Sequence, residues 1–262
     1  MELAQRPPVP ALGPHIRSLA GWLERADGPV RRRELPGARI VLVVSLGPTL
    51  DVDGRTFTSF VAGLHDTPAL TEHAGLGHGV QAYLTPLGAR RLLGVPMGEL
   101  TGRVVELEDL IGVRSAAGLA ERLHEAGSWP QRLRLLEHAI ARRVAAAPPL
   151  APELEHVWNR LERTRGGVPA SALAAEVGWS RRHLAAKLRE QAGLPPKALA
   201  RILRFEHAAA RLRGGAALAD LALDCGFYDQ AHLNRDFRAF AGMTPTEYRR
   251  VTSVQDTASV AA

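Results

Sequence analysis

The stretch from Leu221 to Pro245, LALDCGFYDQAHLNRDFRAFAGMTP, repeats a pattern already present from Leu173 to Pro196, LAAEVGWSRRHLAAKLREQAGLPP. Leu173 to Gly178 align with Leu221 to Gly226 at an offset of 48. The second copy gains one residue after the glycine. Leu184, Leu188, Gly193 and Pro196 then lie 49 positions before Leu233, Phe237, Gly242 and Pro245. Each copy reads as a short helix, a glycine turn, a longer helix and a glycine stop. Gly178 and Gly226 supply the positive φ that a tight turn between crossing helices needs. Trp179 and Phe227 place an aromatic ring in each crossing. This is a helix-turn-helix pattern in tandem, which is far more specific than one copy.

A helix advances by about 100° per residue. If Leu184 and Leu188 point inward, the opposite face carries Arg182, Ala185, Ala186 and Arg189. In the second copy Leu233 and Phe237 point inward, and Ala231, Asn234, Arg235 and Arg238 point out. Small residues let a helix approach the floor of a major groove. Arginine pairs with guanine or phosphate, and asparagine pairs with adenine. Gln230, at the start of the second long helix, is a further candidate base reader. Ser180 and Arg181 stand at the start of the first, where free backbone N–H groups also favour phosphate.

Between the copies, Pro195 to Gly215 reads as one long helix with an apolar stripe of Ile202, Phe205, Ala209 and Leu212. Lys197, Arg201, Arg204, Arg211 and Arg213 add charge to it. Its ~16 residues between the stops span roughly 24 Å. With the half-helices on either side, it can hold two reading heads about one DNA turn apart, ~34 Å. Residues 179–213 carry 9 basic and 2 acidic side chains, whereas residues 1–150 carry 17 and 15, so the net +6 is concentrated around the first copy.

Upstream, Arg39–Gly47 is a β-branched run that reads as a buried strand. Val52–Gly63 opens on Asp53-Gly54, a hairpin dipeptide, and Gly79–Pro86 is a third strand. Helical patterns follow over Leu87–Val95, Ser115–Gly127 and Ser128–Ala146, the last with Leu133, Leu136, Ile140 and Val144 on one face. Ser128 is read as its N-cap. Arg31-Arg32-Arg33 reads as a solvated loop, with extra DNA or ligand contact as the alternative, and Trp22, Phe57, Phe60 and Tyr83 read as core, with a pocket lining as the alternative. Cys225 reads as a small buried residue.

The expected fold class is α+β. An N-terminal small antiparallel sheet or partial barrel with helices precedes an all-α C-terminal domain of two helix-turn-helix units joined by a long helix. The boundaries are 1–147 for a sensor or dimerisation domain, 148–152 for a linker, 153–250 for the DNA-binding domain and 251–262 for a disordered tail.

Residues from about 153 to 250 resemble the DNA-binding domain of the AraC/XylS family of bacterial transcription regulators. LALDCGFYDQAHLNRDFRAFAGMTPTEYRR carries the resemblance most strongly. It implies seven helices, with base-reading positions on Arg182, Ala185 and Ala186 in the first unit and on Gln230, Ala231, Asn234 and Arg235 in the second. Leu233 stands where the family usually has phenylalanine. Ala185 and Ala186 offer few polar atoms, so the first head is expected to anchor to the backbone and the second to discriminate sequence. The family's layout implies a partial cupin-like barrel in the N-terminal half. Gly88–Gly112 is similar to a divergent sensor found in some actinobacterial-type regulators of this family.

The expected function is therefore sequence-specific transcriptional regulation, with an unidentified effector or a second copy engaging the N-terminal half. The partner is a double-stranded DNA operator. RNA polymerase, a small-molecule effector and a homodimer partner are further candidates, and no membrane is expected. Two alternatives are an architectural DNA-binding protein without effector and a DNA-repair alkyl-acceptor enzyme fused to a related domain. The latter needs a nucleophilic cysteine in residues 1–150, which contain none. No catalytic residue, metal site or cofactor is expected. His65, His73 and His78 match no ligand spacing. With one cysteine, no signal-peptide pattern and no long apolar run, a cytoplasmic protein is expected, and the regulator reading implies that it is not an enzyme.

Overall fold

The computed structural model describes residues 1–251, apart from the Ala219 side chain. Of the expected tail, Val251 is helical and 252–262 lie outside the described residues. The strands are β1 (Glu2–Arg6), β2 (Ile16–Arg25), β3 (Val30–Glu34), β4 (Ile40–Ser45), β5 (Leu50–Val52), β6 (Arg55–Phe57), β7 (Ser59–Ala62), β8 (Ala69–His73), β9 (Leu76–Leu84) and β10 (Val104–Glu106). They form two antiparallel sheets, in the orders β1-β2-β9-β4-β7-β10 and β3-β8-β5-β6. Neither sheet closes on itself, so the expected partial barrel is an open pair of sheets.

β4 shows why its sequence is a continuous apolar run. Ile40, Leu42 and Val44 face the main core, while Val41 and Val43 join a smaller cluster with Val52, Phe57 and Phe60 between the sheets. A strand covered on both faces has no polar side to show. The Asp53-Gly54 hairpin forms as expected, pairing Val52 with Arg55. The Arg31-Arg32-Arg33 run is not a loop. It is β3, paired with β8, and its charges are met by Glu72 and Glu24 at 2.5 and 2.6 Å.

Helices α1 (Pro86–Leu93), α2 (Leu107–Ile111), α3 (Val113–Glu125) and α4 (Trp129–Ala146) pack around the larger sheet. The Leu133, Leu136, Ile140 and Val144 stripe of α4 is buried inside the chain. Ser128 precedes α4, but its hydroxyl makes no cap bond. The C-terminal helices are α5 (Pro152–Arg163), α6 (Ala170–Glu176), α7 (Arg181–Ala192), α8 (Pro196–Arg213), α9 (Leu218–Asp224) and α10 (Gln230–Ala241), with a further helical segment over 245–251. One apolar cluster runs from the sheets through all of these helices. Arg17 on β2 pairs with Glu162 on α5 across the two regions. Among the described residues no helix is long and apolar enough to cross a membrane.

α6 is tied to α5 by Glu176, which accepts from Arg160 at 2.9 Å and from His156 at 2.8 Å. Hydrogen bonds from these two groups lower the Glu176 pKa from 4.5 to about 2. A carboxylate depressed in the folded state contributes stability above its unfolded pKa and loses it as pH falls through the folded one. Glu176→Gln is therefore expected to lower the unfolding midpoint at neutral pH, with the difference shrinking below pH 4.5 and gone near about 2. Thermal unfolding of both chains across that range checks this. A difference that stays constant with pH would contradict it.

Candidate nucleic-acid interface

The two repeats close in the same way. Trp179 N–H donates to the Ala174 carbonyl and Phe227 N–H to the Ala222 carbonyl, both at 2.9 Å. Between them Gly178 and Gly226 sit at φ +68° and +75°, the left-handed turn that the pattern called for. The next helix is capped alike in each copy. Ser180 Oγ accepts from His183 N–H at 3.1 Å, and Asp229 Oδ1 accepts from His232 N–H at 2.6 Å. Such caps contribute about 1 kcal/mol each. His183 packs edge-on to Trp179, and His232 to Phe227. The pairs Ser180/Asp229 and His183/His232 keep the same 49-residue offset as the buried leucines, so the caps belong to the repeat, a role that residue type and helix face alone do not reveal. The residue gained in the second copy is Tyr228, whose side chain is exposed.

Leu184, Leu188, Leu233 and Phe237 are all buried. On the opposite faces, Ser180, Arg181, Arg182, Ala186 and Arg189 of the first unit are exposed, and Ala185 is half-buried. In the second, Gln230, Ala231, Arg235 and Arg238 are exposed, and Asn234 is half-buried. Ser180 oxygen serves as the helix cap, which leaves its proton free to donate outward. Among the described residues, the side chains of Arg181, Arg182, Arg189 and Arg235 make no hydrogen bond or ion pair, unlike the arginines of α8.

On α8, Arg201 donates to Asp236 at 2.7 Å and lies over the Phe240 ring. Arg204 donates to the Gly166 carbonyl, Arg211 to Asp224 and Arg213 to the Tyr248 hydroxyl. These four side chains, counted as added charge on the sequence, are internal ties. Lys197 stays exposed. Asp236 is 3% exposed on the buried side of α10, next to the outward Arg235. Phe205 of α8 packs against Phe237 and Phe240, with ring centres at 5.0 and 5.1 Å. Cys225 is buried, and burial pushes its thiol pKa up.

A cavity of about 460 Å³ lies between the two sheets. Trp22, Phe60 and Tyr83 line it, and Phe60 is also part of the small buried cluster that Phe57 completes behind. Arg32 and His73 converge on Glu24, at 2.6 and 2.9 Å. Burial alone would raise the Glu24 pKa, but the hydrogen bonds from Arg32 and His73 outweigh it and hold the carboxyl below its usual range. His65 also lines the cavity, with Nδ1 3.1 Å from the Gly63 carbonyl oxygen. His78 lies elsewhere, against Trp129 and Arg132, and burial lowers its pKa. The three histidines thus do not gather, and no group of three or more metal-binding side chains occurs among the described residues.

A family model described as "Helix-turn-helix domain" matches residues 173–251. HTH-type transcriptional regulators of Staphylococcus aureus are 36% identical over 80 residues, 30% of this chain and 11% of theirs. YbfI of Bacillus subtilis, an HTH-type transcriptional regulator, is 29% identical over 141 residues, 52% of this chain and 48% of YbfI. The chain thus spans less than half the length of these relatives. Among solved structures, ToxT from Vibrio cholerae aligns over 88% of this chain and 97% of its own, at 10% identity and a TM-score of 0.49. A regulator with an AraC-type DNA-binding domain from Chromobacterium violaceum aligns over 38% of this chain and 92% of its own, at 25% identity and a TM-score of 0.36.

The Arg201–Asp236 pair sets an asymmetric expectation. Arg201→Ala leaves the buried Asp236 carboxylate with His232 Nε2, 3.7 Å away, as its remaining ionic partner, and is expected to cost about 3 kcal/mol. Asp236→Asn removes the buried charge and leaves Arg201, whose side chain is 38% exposed, to turn to water. Its cost is expected to be clearly smaller. Urea unfolding of the two variants decides it, and equal losses would contradict the account.

Proposed function

We propose that this chain, whose C-terminal helices form a tandem helix-turn-helix domain of the AraC/XylS type, regulates transcription by sequence-specific DNA binding. In this reading α7 and α10 enter successive major grooves on one face of the duplex. The observation that carries it is the contrast between arginines. Those of α8 are tied to carboxylates, a carbonyl and a hydroxyl. Arg181, Arg182, Arg189 and Arg235 are exposed and unpaired among the described residues. Cations held out on a small-residue face suit the phosphates and base edges of DNA.

The two heads divide the work. Ser180, Arg181, Arg182 and Arg189 anchor the first to the backbone, with Ala185 and Ala186 allowing close approach. Gln230, Asn234 and Arg235, flanked by Ala231 and Arg238, read bases in the second. RNA polymerase and a second copy of the chain are partners on which this geometry bears no further. Residues 1–147 form the sensing part, and the cavity between the sheets receives a small-molecule effector. Its volume, about 460 Å³, lies within the ~300–1,000 Å³ of small-molecule sites. That favours a regulated protein over an architectural one. An alkyl-acceptor enzyme has no support, because the one cysteine is Cys225, buried in the second unit.

The test uses duplexes selected from random DNA by the full chain. Arg235→Ala is expected to weaken binding to the selected duplex by about 1–3 kcal/mol at fixed salt, the worth of one bidentate base contact. Arg181→Ala is expected to weaken selected and unselected duplexes alike. Unchanged affinity of Arg235→Ala for the selected duplex would overturn the assignment of the second head.

A further inference from the structure

The polar side chains that wall the cavity divide into those already engaged and those left over. The cationic ones are engaged. Arg32 places Nη2 on both oxygens of Glu24, and Arg39 donates to Glu206 on α8 at 2.7 Å while lying over the Tyr83 ring. Arg103 is exposed and donates to the Glu99 carbonyl. Several carboxylates are engaged as well. Glu24 also accepts from His73, Glu72 accepts from Arg31, and Asp53 accepts from the Leu70 N–H at 2.8 Å. Glu34 and Asp66 are not. Both line the cavity and remain exposed, so they stand where it meets solvent. Among the described residues neither side chain has a hydrogen bond or an ion pair. Burial raises the Tyr83 pKa against the pull of Arg39, and the Glu34 charge raises it further, which sets Glu34 near that ring.

The histidines of this wall add acceptors. A carbonyl or a carboxylate oxygen only accepts a hydrogen bond. His65 therefore carries its proton on Nδ1, 3.1 Å from the Gly63 carbonyl oxygen, and His73 carries one on Nε2, 2.9 Å from Glu24. In a neutral ring the other nitrogen is then an acceptor. Those nitrogens, His65 Nε2 and His73 Nδ1, are buried and have no partner. A polar group left unpaired in this way costs about 1–3 kcal/mol, which a donor on a ligand relieves. Trp22, whose N–H also has no partner among the described residues, is a neutral donor. The unmet charge of the wall is thus negative, and its unmet ring nitrogens accept. The rest is apolar, with Val41, Val43, Leu50 and Val52 beside Trp22 and Phe60. Aromatic faces attract a cation as well as apolar groups.

We infer that the cavity takes an organic cation, an amine or amidine on an aromatic or aliphatic body, with its charged end at Glu34 and Asp66 and an N–H directed to the half-buried His65. This rests on reading the cavity as a small-molecule site. Carboxylates are the disfavoured class, because an anion brings further acceptors to a wall whose arginines already have partners.

The experiment follows thermal unfolding and calorimetric titration of the full chain with phenethylamine, benzamidine, phenylacetate and phenethyl alcohol. Phenethylamine and benzamidine are expected to raise the unfolding midpoint saturably. They are expected to bind at least about tenfold more tightly than phenylacetate, the worth of one hydrogen bond to a charged group. Glu34→Gln with Asp66→Asn, both at exposed places, is expected to cut that preference to less than about threefold. His65→Leu is expected to weaken both cations, and His65→Gln, which keeps an acceptor, to restore them. Ala62→Phe and Ala69→Phe, which push a ring into the cavity from either sheet, are expected to abolish binding. Unfolding midpoints without probe identify any chain that fails to fold, and the exposed Glu34 and Asp66 substitutions then carry the test. Phenylacetate or phenethyl alcohol binding as tightly as the cations overturns the inference and leaves the cavity a small-molecule site. A cation preference that survives Glu34→Gln with Asp66→Asn, or cation binding that survives the filled cavity, overturns it too. Binding of none of these probes overturns the small-molecule reading and the inference with it.

Discussion

The packing of Phe205 against Phe237 and Phe240 is the contact on which the C-terminal architecture turns. It fixes α10 on α8 through three large buried rings, each among the costliest side chains to remove from a core. Leu199, Ile202, Leu203 and Leu212 continue the buried face of α8 along its length. A helix so covered is a spine, and both helix-turn-helix units hang from it. The arginines on its remaining surface follow from the same constraint. Their stems cover apolar surface while their heads reach Asp236, Gly166, Asp224 and Tyr248. Among the described residues of α7 and α10, Arg181, Arg182, Arg189 and Arg235 stay exposed without such ties.

Tight turns then aim those helices. Each unit spends its glycine on a left-handed residue and its aromatic ring on the crossing, which leaves one face of the second helix with nothing to pack against. That face carries arginine and alanine in α7, and arginine, asparagine and glutamine in α10. The difference follows from the repeat itself. At matched positions Ala185 and Ala186 stand where the second copy has Asn234 and Arg235. Two copies of one scaffold thus carry unlike chemistry on equivalent faces.

The repeat was legible in the sequence because its main parts have local causes: a glycine where φ is positive and leucines at helical spacing. β4 and the Asp53-Gly54 hairpin were legible for similar reasons. Other parts were not. β2, with Gly21, has no counterpart among the strands read from the sequence, and the strand read from Gly79 begins earlier, at Leu76; each glycine makes room for a tryptophan ring, Trp129 over the first and Trp22 over the second. β3 looked like a loop because three arginines in a row are read as solvated. They stand on a strand of the smaller sheet, where Arg32 meets Glu24, 8 positions before it on the larger sheet, and Arg31 meets Glu72, 41 positions on. The contacts between sheets and helices were beyond reach altogether. Arg33 and Ala241 are 208 positions apart, Arg39 and Glu206 are 167 apart, and single polar contacts leave no periodic trace.

The central claim is that one chain presents two reading heads on one face of DNA. Hydroxyl-radical footprinting of the full chain on a selected duplex tests it most directly. The account predicts two protected segments about 10 base pairs apart, on the same side of the duplex. A single short protected segment, or two on opposite sides, would contradict it.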